Sequence, residues 1–297
     1  MSPPGRPKGE YRSAQHEGTS VSKPVRITGT TRLYAIVGDP IVQVRSAEVF
    51  TQRFADEGID AVLVPAQVSS ENFEAVIPGL MALGNLDGLL VTAPLKEKLA
   101  RYAARLGAAA ACIGAVNALR READGSWSGD IFDGAGFVRG VERKGEHLQG
   151  RRVLMFGAGG AGSAIACALV EAGVHSIRVV NPEPRKIATL AAALQRSFPA
   201  CDVGPAGASR EGFDMVVNAS PVGMRPGDGL PGDLGALREG ALVGDVVVSD
   251  APTAIIRKAI EHGCAWVNGR DMHSGQIDAI MRFFAPGTTQ AVVGTAG

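Results

Sequence analysis

The run "RVLMFGAGGAGSAIACALVEAG" at residues 152–173 begins as a strand and ends as a helix. Val153 to Phe156 are apolar and β-prone. Gly157, Gly159 and Gly162 then stand in GxGxxG spacing, and small residues carry the chain onward as a helix. Glycines at that turn let a backbone approach a pyrophosphate, while the helix start offers N–H groups and the positive end of its dipole. A tight turn with close helix–sheet packing uses the same spacing. Downstream, "SIRVVN", "FDMVVNAS", "ALVGDVVVS" and "AWVNG" read as strands alternating with helices, among them Thr253 to His262. The spacing predicts a Rossmann dinucleotide-binding unit over residues 133–269.

Upstream the chain repeats this alternation. A strand "RLYAIVG" opens it, followed by a helix near Ala47 to Glu57, a strand "AVLVPAQV" and a helix near Glu71 to Leu83. The strand "LDGLLV" comes next and runs into Thr92, Pro94 and Lys96. "GAVNAL" and "SWSGD" are two more β-like pieces, and a helix is expected from about Asp133 to Arg143. The fold class is therefore α/β, with an N-terminal α/β domain over residues 31–132 ahead of the C-terminal Rossmann domain. A last helix, Met272 to Phe284, is expected to return to the first domain within residues 270–290. Residues 1–30 are polar and rich in Pro, Gly and Ser, and read as a disordered tail.

Composition narrows the function classes. The chain has 297 residues, 45 % hydrophobic and 20 % charged, enough for two domains with sizeable cores. Lys plus Arg and Asp plus Glu both number 30, so electrostatics give no argument for nucleic acid or an anionic membrane as partner. Cys112, Cys167, Cys201 and Cys264 are scattered without a CxxC pair. This pattern argues for no metal site and for reduced thiols in a cytoplasmic protein. Neither a bilayer-long apolar run nor a signal peptide is seen. A small-molecule substrate is the expected partner, on a monomer or homodimer.

Several polar residues stand where ligand sites of open α/β sheets form, at strand ends. Thr92 and Lys96 follow one strand. Asn117 lies in an apolar stretch, where a buried amide is either a structural bridge or a ligand contact. Asp130 and Asp133 precede a helix that Asp133 is also suited to cap. Met272 and Gln276 are four apart on one helix face, or else are a core methionine beside a solvent glutamine. At the end of the second Rossmann strand stands Asn181, then Glu183, Arg185 and Lys186. An acidic residue there suits the ribose 2′-hydroxyl of NAD and a basic one the 2′-phosphate of NADP. With no arginine directly after Asn181, NAD is favoured over NADP.

The motifs "GDPIVQVRSA", "LVTAPLK", "AVNAL", "GDIFDGAG", "GAGGAGSA", "NASPVGM" and "GRDMHSGQ", in that order, resemble those of the shikimate dehydrogenase family, including its quinate-oxidising branch. The resemblance spans Tyr34 to Phe284. It implies a nicotinamide-dependent oxidoreductase acting on the secondary alcohol of shikimate, quinate or a related cyclic hydroxy acid. Lys96 and Asp133 would be its catalytic pair, and Ser46, Thr92, Asn117 and Gln276 its substrate contacts. Gly157, Ala158, Gly159, Gly160, Ala161, Asn181, Glu183, Ser220 and Met272 would contact the cofactor. A lysine partly withdrawn from water suits the task, since the hydroxyl must lose a proton as hydride leaves carbon.

The departures from the family pattern cluster at the pocket rim. Val44 replaces the first of two serines on the carboxylate side, where Ser46 keeps the second. Leu90 stands for Asn, Ile131 and Phe132 for Asn-Thr, and Val248 for a tyrosine. His273 and Ser274 replace two apolar residues. His273 is able to donate to a carboxylate in compensation for Val44, although an ordinary helix-surface histidine is the preferred reading. The pattern suits a divergent paralogue. Its rivals are a ligand-binding regulator that lost turnover, disfavoured by the intact pair, and a relative of methylene-tetrahydrofolate dehydrogenase, disfavoured by Met272 and Gln276.

Overall fold

The computed structural model describes residues 26–42, 44–225 and 227–285. Most of the tail expected over residues 1–30 lies outside the described residues, as do residues 286–290. In chain order the first part comprises β1 (Arg32–Gly38), α1 (Ser46–Asp56), β2 (Ala61–Gln67), α2 (Phe73–Met81), β3 (Leu86–Val91), α3 (Lys96–Ala100), β4 (Arg105–Leu106), α4 (Ala108–Ile113), β5 (Ala118–Arg121) and β6 (Trp127–Asp130). Its strands form one sheet in the order β2-β1-β3-β5-β6-β4. β1 pairs in parallel with β2 and β3, whereas β5 runs antiparallel to β3 and β6. β1 lies inside this sheet and is buried along most of its length, which is why it reads as a nearly unbroken apolar run.

After α5 (Asp133–Arg143) come β7 (Arg152–Phe156), α6 (Gly160–Glu171), β8 (Ser176–Val180), α7 (Pro184–Ser197), β9 (Asp202–Pro205), β10 (Met215–Asn218), β11 (Leu242–Asp245), α8 (Ala254–Glu261), β12 (Ala265–Val267) and α9 (Gly269–Phe284). The second sheet is parallel throughout, in the order β12-β11-β10-β7-β8-β9. That is the doubly wound order, with its reversal between β7 and β10, where such sheets open a ligand crevice at their carboxyl ends.

Helix α5 lies between the two sheets because it carries glycine on two faces. A β-carbon on Gly134 would come within 2.2 Å of the Ala164 carbonyl oxygen of α6. One on Gly136 would come within 2.5 Å of the Met272 carbonyl oxygen of α9. Both neighbours therefore approach α5 backbone to backbone. The far end of α9 reaches the first sheet, where Phe284 packs on Tyr34 with centroids 4.8 Å apart and Phe283 lies 5.3 Å from Phe132. Ring pairs of this kind contribute about 0.5–1.5 kcal/mol each beyond the area they bury.

Some details depart from the sequence reading. Asn117 precedes β5 rather than lying within a strand. β4 and α4 do not emerge from periodicity: the first is only two residues long, and the second is an alanine run stopped by Gly114 at φ +70°. β11 ends at Asp245, so "VVVS" beyond it (Val246 to Ser249) is loop. α9 starts at Gly269, three residues early, because Asn268 and Asp271 close a capping box. Asp133 is not a cap. Phe132 holds that position without a side-chain bond, and the Asp133 carboxylate goes elsewhere.

Candidate active site

The aspartate's partner is Lys96. Its Nζ donates to Asp133 Oδ2, with the two side chains 15 % and 7 % exposed. Three chain segments are locked together to achieve this. Val116 N–H donates to the Lys96 carbonyl at 3.0 Å, which fixes the start of α3 beside the approach to β5. The next residue, Asn117, accepts from Phe132 N–H through Oδ1 at 2.9 Å and so fixes the start of α5. Its Nδ2 donates to Gln276 Oε1 of α9 at 3.3 Å. Asn117 and Gln276 are both buried, so the solvent-facing alternative for Gln276 is excluded.

One turn before Gln276, His273 Nε2 lies 3.4 Å from Ser46 Oγ at the start of α1. The imidazole is half-buried and faces inward, contrary to the helix-surface reading. Burial lowers its pKa below the ordinary histidine value, and the nearby Asp133 carboxylate partly offsets this. Thr92 is half-buried just past β3, its methyl group pressed toward Gly38. Asp130 is used locally: it accepts from Ile131 and Ala110 N–H at 2.8 and 3.3 Å, and burial raises its pKa.

The glycine loop lies directly against this pocket. A β-carbon on Gly160 would stand 3.4 Å from Lys96 Cδ, so the lysine stem covers the first turn of α6. Gly157 has φ +100°, and a β-carbon there would come within 2.6 Å of the Ala219 carbonyl oxygen. One on Gly162 would stand 2.6 Å from the Gly157 carbonyl oxygen. These two glycines make the turn and its packing. In front of Gly159 there is open space, and α6 begins without a side-chain cap. An open backbone face at an uncapped helix start fits a dinucleotide pyrophosphate. Ala158 N–H donates to Asn181 Oδ1 at 3.1 Å, and Asn181 Nδ2 donates to the Glu183 carbonyl at 3.1 Å, so Asn181 braces the loop. Glu183 is exposed at the tip of β8 and pairs with Lys186 at 2.7 Å. Gly160 and Ala161 begin α6, and Met272 is buried against α5.

Sequence reasoning did not single out the network behind Ser220. Asn218 and Asp245, both fully buried, end β10 and β11. Asn218 Oδ1 accepts from Ser220 Oγ at 2.6 Å, and its Nδ2 donates to Asp245 Oδ1 at 2.9 Å. Thr253 Oγ1 also donates to Asp245, whose pKa is raised by burial. The signal was present: "MVVN" and "LVGD" each end an apolar strand on a group that needs partners. Among the described residues no group of three His, Cys, Asp or Glu side chains is placed to hold a metal ion, and no helix is long and apolar enough to cross a membrane. A buried ammonium–carboxylate pair beside an open glycine loop is equipped to exchange a proton with a hydroxyl next to a bound dinucleotide.

Residues 36–119 match the family described as shikimate dehydrogenase substrate binding domain, and residues 139–220 that described as shikimate / quinate 5-dehydrogenase. The chain is 38 % identical over 251 residues to a protein of Rubrobacter xylanophilus named shikimate dehydrogenase (NADP(+)), covering 83 % of this chain and 88 % of that one. Among solved structures it is similar to shikimate 5-dehydrogenase of Listeria monocytogenes in complex with shikimate and NAD, at TM-score 0.76 and 29 % identity over 84 % of this chain and 90 % of that one. It is also similar to quinate dehydrogenase of Corynebacterium glutamicum in complex with NAD, at TM-score 0.76 and 26 % identity over 86 % and 94 %.

Proposed function

Since this chain belongs to the shikimate dehydrogenase family, we propose that Lys96 and Asp133 carry the proton step of an NAD(P)-dependent oxidation of shikimate, quinate or a related cyclic hydroxy acid. The protein is a nicotinamide-dependent dehydrogenase. The observation that carries the residue assignment is the buried contact between Lys96 and Asp133 with the lysine stem lying on Gly160. Bound dinucleotide supplies the hydride acceptor or donor. In oxidation, Lys96 Nζ takes the hydroxyl proton, and in reduction its N–H returns one to the ketone oxygen. Asp133 holds the amine in place by accepting a hydrogen bond from Lys96 Nζ. Proton transfer by a positioned group of this kind contributes roughly 10²–10⁴-fold. Asn117 and Gln276, already bonded to each other, present their remaining polar valences to further ring hydroxyls, and Thr92 and Ser46 face the acid side.

Residues 31–132 with α9 are the substrate-binding unit in this reading, and residues 133–269 bind the dinucleotide through Gly157 to Ala161 and Ser220, with Met272 added from α9. NAD is preferred. The Glu183 carboxylate at the tip of β8 repels a 2′-phosphate, and Lys186 is held by Glu183 itself. A cytoplasmic site of action agrees with four free thiols among the described residues.

The test is a screen of purified protein with shikimate and quinate against both dinucleotides, followed at the absorbance band of reduced nicotinamide. Turnover with at least one acid is expected, with NAD ahead of NADP. Glu183→Ser should move the ratio of the two kcat/KM values toward NADP by about tenfold. Normal dinucleotide binding with no turnover of any cyclic hydroxy acid would instead mark a regulator.

A further inference from the structure

The cysteines are scattered along the chain, yet the fold gathers three of them in one place. Cys112 lies in α4, just ahead of Asn117, and Cys167 lies in α6, the helix that follows the glycine loop. Both belong to one apolar cluster, and Cys201 packs against it. α4 is an alanine run, and it packs on α6 and α7. Cys112 is 9 % exposed and Cys167 3 %, and their thiols are hydrogen-bond partners. Cys112 S–H reaches the Ala193 carbonyl of α7 only at 3.7 Å. The bonds from Cys167 and Ser197, with the positive charge of Arg196, outweigh burial and hold the Cys112 pKa below the ordinary thiol value. The bond to Cys112, together with burial, pushes the Cys167 thiol up. One sulfur is thus made nucleophilic, and the other stands in contact with it. The dehydrogenase chemistry uses neither.

We propose that Cys112 and Cys167 form a reversible disulfide on exposure to hydrogen peroxide, and that this bridge lowers turnover by tying the first sheet's α4 to the dinucleotide helix α6. The bridge stands apart from the dehydrogenase reading, and only its effect on turnover rests on that reading. The Cys112 thiolate attacks one peroxide oxygen and the O–O bond breaks. The departing hydroxide takes up the proton that Cys112 had released and leaves as water, with Cys112 now a sulfenic acid. The Cys167 sulfur then attacks the Cys112 sulfur, the S–O bond breaks, and the oxygen leaves as water with the Cys167 proton. Two thiols have given two electrons to one peroxide. A dithiol returns both electrons and reopens the bridge. Bonding draws the sulfurs inside non-bonded contact, so α4 must close on α6. α4 does not move alone. Just beyond Cys112, Val116 N–H holds the Lys96 carbonyl at 3.0 Å, and Asn117 holds the start of α5 and Gln276. The bridge therefore shifts Lys96 and Asn117 against the glycine loop, where a misplacement of about 1 Å costs up to about 10²-fold in rate.

The whole protein, first reduced and then treated with hydrogen peroxide, tests this. Its intact mass should fall by two hydrogens, and a non-reducing digest should yield the peptide pair joined through Cys112 and Cys167. Turnover of shikimate or quinate should drop at least about tenfold and return with dithiothreitol. Cys167→Ala should form no bridge and stop at the Cys112 sulfenic acid, which dimedone captures. Cys112→Ala should form neither product and keep its turnover after peroxide, and Cys112→Ser serves if that variant folds poorly. Cys201→Ser should behave as the wild type. A bridge to Cys201 instead, no bridge at all, or a Cys112–Cys167 bridge that leaves turnover unchanged would overturn the proposal. If the reduced protein turns over no acid, the dehydrogenase reading fails, while mass and digest still decide whether the bridge forms.

Discussion

The glycine loop and the pocket around the Lys96–Asp133 pair touch at Gly160 and Lys96 yet are assembled in opposite ways. The loop is made of consecutive residues between β7 and α6, braced by Asn181 and packed on Ala219. The pocket is gathered from α3, the approach to β5, α5 and α9. Its two defining bonds join residues 37 and 159 positions apart. The loop is therefore a local property of sequence, whereas the pocket exists only once the whole fold has closed. The first should tolerate damage to the second.

Lys96→Met separates them most sharply. It keeps the stem that covers Gly160 and removes the ammonium, so turnover should fall about 10²–10⁴-fold while dinucleotide affinity changes little. It also leaves a buried carboxylate without its partner. Removing one member of a fully buried pair costs about 3–5 kcal/mol, and the residual exposure of Lys96 brings the expected loss nearer roughly 2 kcal/mol. Lys96→Met combined with Asp133→Asn should recover that stability, read by denaturant melts, without recovering turnover. Unimpaired turnover in the single variant would remove Lys96 from the chemistry.

A smaller pair of effects tests whether the two regions fail independently. Gly157→Ala forces a side chain onto a φ of +100° and against the Ala219 carbonyl, at a cost of about 1–3 kcal/mol. Dinucleotide binding, followed by fluorescence titration, should weaken well before substrate KM responds. Gly136→Ala should do the reverse. Its methyl meets the Met272 carbonyl and displaces α9 from α5, which moves Gln276 and His273 at a comparable overpacking cost. If both variants shift both affinities alike, the division is wrong.

The smallest expected effect is on acid stability. The unfolded chain takes up a proton on histidine near pH 6.5, whereas folded His273 resists one because burial lowers its pKa. The unfolded state thus binds more protons, and stability falls as pH drops from about 6.5 through the folded-state value. His273→Ala should flatten that slope in melts run as a pH series. An unchanged slope would mean that the imidazole is solvated.

What was legible in the sequence follows the same division. The strand, glycines and small-residue helix of residues 152–173 are contiguous, and their spacing is the physical requirement itself, so the Rossmann unit could be read directly. Lys96 and Asp133 stand out as polar groups at element starts, but nothing in their spacing says that they meet. The Asn117–Gln276 bond was hidden for the same reason. His273 was misread because its inward direction depends on where α9 crosses α5, and that crossing is set by Gly136 and Gly275 meeting backbone to backbone. Asn218 and Asp245 passed unremarked because each looks like an ordinary polar strand end until its burial is known.

The position of α9 carries a consequence for how the protein is made. Lys96 and Asp133 leave the ribosome early, and the glycine loop soon after. Gln276 and His273 follow only once the entire second sheet has been synthesised, since Gln276 bonds a residue 159 positions before it. A nascent chain therefore acquires the Lys96–Asp133 pair and the glycine turn long before the helix that carries Gln276 and His273. The contacts made by α9 are the last to arrive, and until then Asn117 and Ser46 must wait in water for partners at the far end of the message.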